Sequence, residues 1–206
     1  MKELLERYPC LEGIKDEISK ALSTIIDCYE NGGKLLLCGN GGSCADCDHI
    51  AGELMKGFLL SRRLSEKQIS DMKSRCPELD DNTLSLLQNG LSAIPLTAFS
   101  ALNSAVCNDN DPDLIYAQAL LSLANSNDVL LAISTSGNAK NVGLAASVAK
   151  SLGLKVVALS GRRGGALRQI ADVCICAPED ETYKIQELHL PIYHTLCAEI
   201  EKHFFG

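Results

Sequence analysis

Four residues at two spacings set out the chemistry open to this chain. His49 and Glu53 stand at i and i+4 in GNGGSCADCDHIAGE (39–53), a spacing that puts both on one helical face, one turn apart. Near the other end, KIQELHLPIYHTLCAEIEKH carries Gln186 and His194 at i and i+8, a little over two turns and roughly the same side of a helix. A helical His/Glu pair facing Gln and His of a second helix could bind zinc, or act as general acid and base. The same i, i+4 pair also stabilises helices with no further role. His189 falls one turn after Gln186, and His203 belongs in solvent. Pro191 either starts the last helix or bends it.

Two loops of small polar residues could receive a ligand. The first is Gly39-Asn40-Gly41-Gly42-Ser43; the second is Ser134-Thr135-Ser136-Gly137-Asn138. The second offers three hydroxyls, backbone N–H groups and a helix N-terminus with no acid in the loop, which suits a phosphate monoester. It lacks the Lys of a nucleoside triphosphate loop, and GNGGS lacks the dinucleotide glycine spacing. Ser, Thr and Asn also cap helices, so a pair of N-caps is the simpler alternative.

The elements that must position these residues follow from periodicity. Five apolar runs end in small or polar residues: KLLLCGN (34–40), LSAIPLT (91–97), DVLLAIS (128–134), KVVALSG (155–161) and DVCICAP (172–178). Such runs suit parallel strands buried on both faces. Helical patterns lie at 13–30, 43–57, 99–107, 111–126, 140–152, 163–171 and 184–204. This alternation predicts a single α/β domain over residues 1–206, a three-layer sandwich around a five-stranded parallel sheet. Residues 61–90 interrupt it; dense charge with Leu and Ile at helical spacing, broken at Cys76-Pro77, predicts an insertion of two short helices. It is either a surface excursion or a lid.

Composition narrows the function further. The net charge is −7, with Lys and Arg scattered, so neither a nucleic-acid footprint nor a polybasic membrane surface is present in the pattern. No apolar run approaches the roughly 20 residues of a membrane span. The charged start, MKELLERYPC, predicts a cytoplasmic protein. Ten cysteines read as free thiols in a reducing compartment. Cys44 and Cys47 form a Cys-x-x-Cys with no second pair to complete a four-thiolate site.

Taken together, LLLCGNGGSCADCDHIAGE, AISTSGNAKNV, VVALSGRRGG and IQELHLPIYHTLCAEIE, in this order and at these separations, resemble the SIS (sugar isomerase) domain family, and more closely its phosphoheptose isomerase branch. The resemblance covers about residues 34–58 and 91–206 and implies a flavodoxin-like SIS fold. It implies isomerisation of sedoheptulose 7-phosphate to D-glycero-D-manno-heptose 7-phosphate through an enediol. Ser134, Thr135, Ser136 and Asn138 would hold the phosphate; Asn40, Gly41, Gly42, Ser43 and Gln186 would line the sugar. Glu53 and His194 would be the acid/base pair, with His49, Glu53, Gln186 and His194 as zinc ligands where metal is present. It also implies a homotetramer with sites between subunits. The second strand departs from the family by ending in Ala98 and Phe99, where a small polar pair with an aspartate is usual. A sugar-phosphate-binding or protein-interaction module without catalysis, or a SIS-type lyase, would use the same scaffold. Retention of both Glu53 and His194 favours the isomerase.

Overall fold

The computed structural model describes residues 1–206. The chain runs α1 (Lys2–Arg7), α2 (Lys15–Glu30), β1 (Leu35–Gly39), α3 (Gly42–Met55), α4 (Glu66–Arg75), α5 (Asp81–Leu86) and β2 (Ala93–Pro95). It continues through α6 (Ser100–Asp109), α7 (Ile115–Leu123), β3 (Val129–Ser134), α8 (Lys140–Ser151), β4 (Lys155–Gly161), α9 (Leu167–Ile170), β5 (Val173–Ala177) and α10 (Thr182–Phe205). All strands are parallel, in the order β2-β1-β3-β4-β5. This is the doubly wound flavodoxin-like order.

Side-chain alternation along each strand divides the core in two. Leu35, Leu37, Leu131, Ile133 and Leu159 face one layer, with α2, α3 and α10. Leu36, Cys38, Leu130, Ala132 and Ala158 face the other, with α7 and α8. Every residue of β1 and β3 is buried, which is why these strands lack polar alternation in the sequence. Pro95, having no N–H to give a neighbour, sits on the edge strand β2, where none is needed.

Local chemistry shifts several boundaries. The opening helical pattern begins at Lys15, behind α1 and a 3-10 stretch over Pro9–Ile14. The pattern at 111–126 is a 3-10 turn, Pro112–Leu114, followed by α7. The pattern at 163–171 shrinks to Leu167–Ile170, because Gly164 and Gly165 hold positive φ values of 67° and 54° that end any helix there. Pro191 does not start the last helix; α10 runs through it unbroken. Residues 61–90 form α4 and α5, separated at Cys76-Pro77. Ser65 and Gln68 make a capping box for α4, and Asp80 caps α5 at Thr83 N.

Candidate active site

In an open sheet of this order, the crevice lies beyond the carboxyl ends of the strands where the winding direction reverses. Here that point falls between β1 and β3, which are neighbours but lead away to opposite edges. The loop 40–41 follows β1 and the loop 135–139 follows β3, so the two loops flank the crevice.

The first loop is held open by its surroundings. Gly41 has φ 55°, and a Cβ on Gly39 would lie 2.7 Å from the Ser43 carbonyl oxygen. Asn40 spans the crevice: its amide Nδ2 donates to Asn141 Oδ1 at 2.9 Å, and its Oδ1 accepts from Asn141 Nδ2 at 3.0 Å. The buried Tyr116 hydroxyl reaches Gly39 O at 2.6 Å and Asn40 Oδ1 at 2.9 Å. Gln186 rests its amide against Gly42, where a Cβ would come within 2.4 Å of Nε2.

The second loop folds onto the turn after β4. Gly137 has φ 66°, and a Cβ there would lie 1.9 Å from the Gly164 carbonyl oxygen. Asn138 Nδ2 donates to Ser136 O at 3.1 Å, while its Oδ1 accepts from Ala166 N at 3.0 Å. Its amide therefore braces the loop against the Gly164-Gly165 turn. Ser160 Oγ donates to Ser134 O at 2.7 Å. Ala139 gives α8 no side-chain cap; Asn141 Oδ1 takes the Val142 N–H at 2.9 Å, which leaves the N–H groups of Lys140 and Asn141 open to an anion.

The acid/base candidates meet where α3 packs on α10. His49 Nε2 lies 3.1 Å from Glu53 Oε1 and 3.4 Å from His194 Nε2. The Phe58 ring stands beside His194, with centroids 5.5 Å apart. Partial burial and the neighbouring His49 hold His194 below its ordinary 6.5, with Glu53 pulling the other way. A neutral His194 can accept a proton at one nitrogen and donate from the other.

The donor set around His49 bears on metal binding. A carboxylate oxygen and two imidazole nitrogens approach one another, so a positive centre, a proton or a metal ion, must offset their lone pairs. Both separations match the roughly 3.3 Å between neighbouring ligand atoms on a tetrahedral zinc with bonds of about 2.0–2.1 Å. The three atoms do not close into a cage as placed. Gln186, grouped with them by sequence, stands instead at Gly42, about two turns earlier along α3 than His49.

His189, which sequence spacing sets one turn after Gln186, is fully buried with Nε2 3.2 Å from Ser160 O. Cys47 is core and Cys44 Sγ lies 3.4 Å from Thr97 Oγ1; all ten cysteines are free. His203 pairs with Glu30 at 2.8 Å on the surface. Sequence reasoning missed Tyr116, Asn141, Asp46 and Tyr193. Asn141 carried a signal, being an amide in the first turn of the helix after the second loop. The two tyrosines carried none, because their hydroxyl partners lie 76 and 144 positions away in the chain.

Comparison with known proteins follows the same lines. Models of the SIS domain family match residues 1–84 and 104–198. A phosphoheptose isomerase of Helicobacter pylori (strain P12) is 36% identical over 203 residues, covering 98% of this chain and 91% of that protein. The structure of a phosphoheptose isomerase from Francisella tularensis matches with a TM-score of 0.78 at 32% identity, over 95% of this chain and 91% of that one. That of the phosphoheptose isomerase from Neisseria gonorrhoeae gives 0.74 at 29% identity, over 97% and 94%.

Proposed function

The chain belongs to the phosphoheptose isomerase branch of the SIS domain family, and from that we propose that it interconverts sedoheptulose 7-phosphate and D-glycero-D-manno-heptose 7-phosphate. The observation that carries the reading is the meeting of Glu53 and His49 of α3 with His194 of α10, at 3.1 and 3.4 Å.

The reaction removes a proton from C1 of the ketose, passes through an enediol, and returns a proton to C2. A second proton moves between the two oxygens. We assign the carbon proton to the Glu53 carboxylate and the oxygen proton to His194, whose depressed basicity keeps it neutral near pH 7. Ser134, Thr135 and Ser136, with the open N-terminus of α8, bind the phosphate; that remote binding energy holds the reacting carbons in place. Asn40, Gly41, Gly42, Ser43 and Gln186 face the sugar. When bound, zinc supplies Lewis acidity toward the two reacting oxygens. His49, Glu53 and His194 would hold it. The reading keeps Gln186 on the sugar side, where its amide already faces the first loop.

The same reading makes the protein a cytoplasmic homotetramer, with sites completed between subunits. No helix is long and apolar enough to cross a membrane. In support of the assembly, Leu59 and Leu190 are exposed beside His194. There α1, Phe58, Leu59 and α10 also enclose a cleft of about 340 Å³ with His194 on its wall.

The test is turnover of sedoheptulose 7-phosphate with added zinc, read as aldoheptose product by NMR. Glu53→Gln and His194→Ala should each lower kcat by roughly 10²- to 10⁴-fold. Absence of product from the wild type, or full activity in either variant, would overturn the assignment.

A further inference from the structure

Cys174 and Cys176 stand two apart on β5 and so share one face of that strand. Their sulfurs are 3.5 Å apart. Both are half-buried, and both line a cleft of about 330 Å³. The strand that carries them is an edge, hydrogen-bonded only to β4. Neither thiol has a part in the acid/base or phosphate chemistry above.

Cys176 lies against the turn that follows β4. A Cβ built on Gly164 would come within 3.0 Å of its Sγ. The same glycine supports the second loop, since a Cβ on Gly137 would meet the Gly164 carbonyl oxygen at 1.9 Å. One residue thus separates the Cys176 sulfur from the loop assigned to the phosphate.

The surroundings order the two sulfurs. Burial, then the charge and hydrogen bond of Cys176, push the Cys174 thiol up to about 12, against the pull of Arg168. Cys174 therefore keeps its proton near neutral pH and gives its S–H to Cys176, which leaves Cys176 as the sulfur that attacks first. Arg162 and Arg168 line the cleft and outnumber its one acid, Glu17, so a reagent carrying carboxylates suits it.

We propose that Cys174 and Cys176 are a dithiol modification site for a small anionic disulfide, and that the bond formed between them displaces the phosphate loop. The effect on the loop rests on the phosphate reading above; the bond itself does not. In the first step the Cys176 thiolate attacks one sulfur of the disulfide, forming a mixed disulfide and releasing a thiolate that takes up the Cys176 proton. With Cys176 bonded, its charge no longer holds Cys174 up. Cys174 then attacks the Cys176 sulfur, and the second thiolate leaves with the Cys174 proton. The protein loses two electrons and the small disulfide gains them. Residues two apart on a strand have Cα atoms about 6.6 Å apart, near the upper end of the span a disulfide bridges. Closing the bond therefore bends β5, which its unpaired edge permits, and draws the Cys176 sulfur away from Gly164. Thiols reverse the step, as for the transient disulfides of reducing compartments.

The test treats the 206-residue protein with glutathione disulfide, blocks the remaining thiols with iodoacetamide and maps the tryptic peptide 169–184, which holds these two cysteines and no other. That peptide should be unalkylated and lighter by two hydrogens, and dithiothreitol should reverse the change. Cys174→Ser should stop at a glutathione adduct on Cys176. Oxidation of the wild type should lower kcat/KM for the heptulose phosphate about 10- to 100-fold and remove most of the rise in Tm caused by inorganic phosphate. Cys176→Ser should keep its activity and its phosphate response through the same treatment. Two alkylated cysteines in the treated peptide, or a bond that leaves the phosphate response intact, would overturn the proposal. If the reduced wild type showed neither turnover nor a phosphate response while the bond still formed, the functional reading would fall and the modification site would stand.

Discussion

Arg62 and Glu201 meet at 2.7 Å with neither side chain exposed. The Glu201 carboxylate also accepts from three consecutive backbone N–H groups, those of Phe58, Leu59 and Leu60, at 2.8, 2.7 and 3.0 Å. Arg62 in turn donates to the carbonyls of Leu54 and Glu53 at 2.6 and 3.0 Å. The pair thus ties the end of α10 to the end of α3, directly behind the acid/base wall.

Removing one partner of this pair leaves the other charged, buried and alone. Glu201→Gln should cost roughly 3–5 kcal/mol, a fall in Tm of about 6–20 °C for a domain of this size. Burial alone would raise the Glu201 carboxyl, but the Phe58 and Leu59 N–H groups and Arg62 hold it below its ordinary 4.5. A depressed carboxyl stabilises the fold above that ordinary value and loses its contribution as pH falls through the folded value. Thermal melts should therefore show the gap between wild type and Glu201→Gln closing below about pH 4. A gap that is constant with pH would show that the ionised carboxylate is not the stabilising species.

His189 gives the opposite case among the bases. Burial pushes it down to about 4 from 6.5, against the pull of its hydrogen bond to Ser160 O. The unfolded chain binds this proton more readily, so full stability holds above pH 6.5 and drains away as pH falls toward 4. The difference corresponds to roughly 3 kcal/mol. His189→Gln should start lower in Tm at pH 7.5 and lose less between pH 6.5 and 4.5 than the wild type. Parallel pH slopes for the two proteins would contradict this.

The fit between the second loop and the Gly164-Gly165 turn can be probed at Gly137. Alanine there must adopt a left-handed φ and push its Cβ into the Gly164 carbonyl, 1.9 Å away. The loop and the turn cannot both keep their places. Gly137→Ala should lower kcat/KM for the heptulose phosphate on the order of 100-fold, the cost of misplacing a bound group by about an ångström. It should also remove any rise in Tm caused by inorganic phosphate, and a variant that kept that rise would show that the loop does not bind the anion.

The sheet, the two loops and the His49–Glu53 pair were legible from sequence because each rests on local chemistry. Continuous burial of Leu35–Cys38 and Val129–Ile133 erases polar alternation, glycines mark the turns, and i, i+4 spacing is a property of one helix. What was not legible depends on packing between distant segments. The bracing of Asn138 by the Ala166 N–H comes from a segment 28 residues away. Gln186 reads as a companion of His194 until Gly42 offers its amide a flat surface. Tyr193 reads as one more apolar position of α10, since only the approach of Asp46 and His49 from α3 gives its hydroxyl a role. Pro191 looks like a helix end because its missing N–H is a local fact, whereas the contacts that carry α10 past it are tertiary.

Phe99 follows the turn after β2 and stands at the N-cap of α6 without any side-chain hydrogen bond to that helix. Its ring is 37% exposed, so little apolar burial is lost when it is replaced. Thr97, two residues earlier, already joins this strand end to α3 through Cys44 and to α6 through Asn103, which holds the backbone of the turn in place. An aspartate at position 99 could accept from the free N–H groups of the first turn and place its charge at the positive end of the helix. Phe99→Asp should stabilise the protein by about 1 kcal/mol, a rise in Tm of roughly 2–4 °C. A second readout separates this effect from one on the ligand. If the ring lines the sugar, KM for the heptulose phosphate will change in Phe99→Asp but stay closer to wild type in Phe99→Leu, which keeps an apolar surface and adds no cap. A fall in Tm for Phe99→Asp would mean that the ring is packed against a neighbouring subunit, and the same pair of variants would then differ in oligomeric state by light scattering.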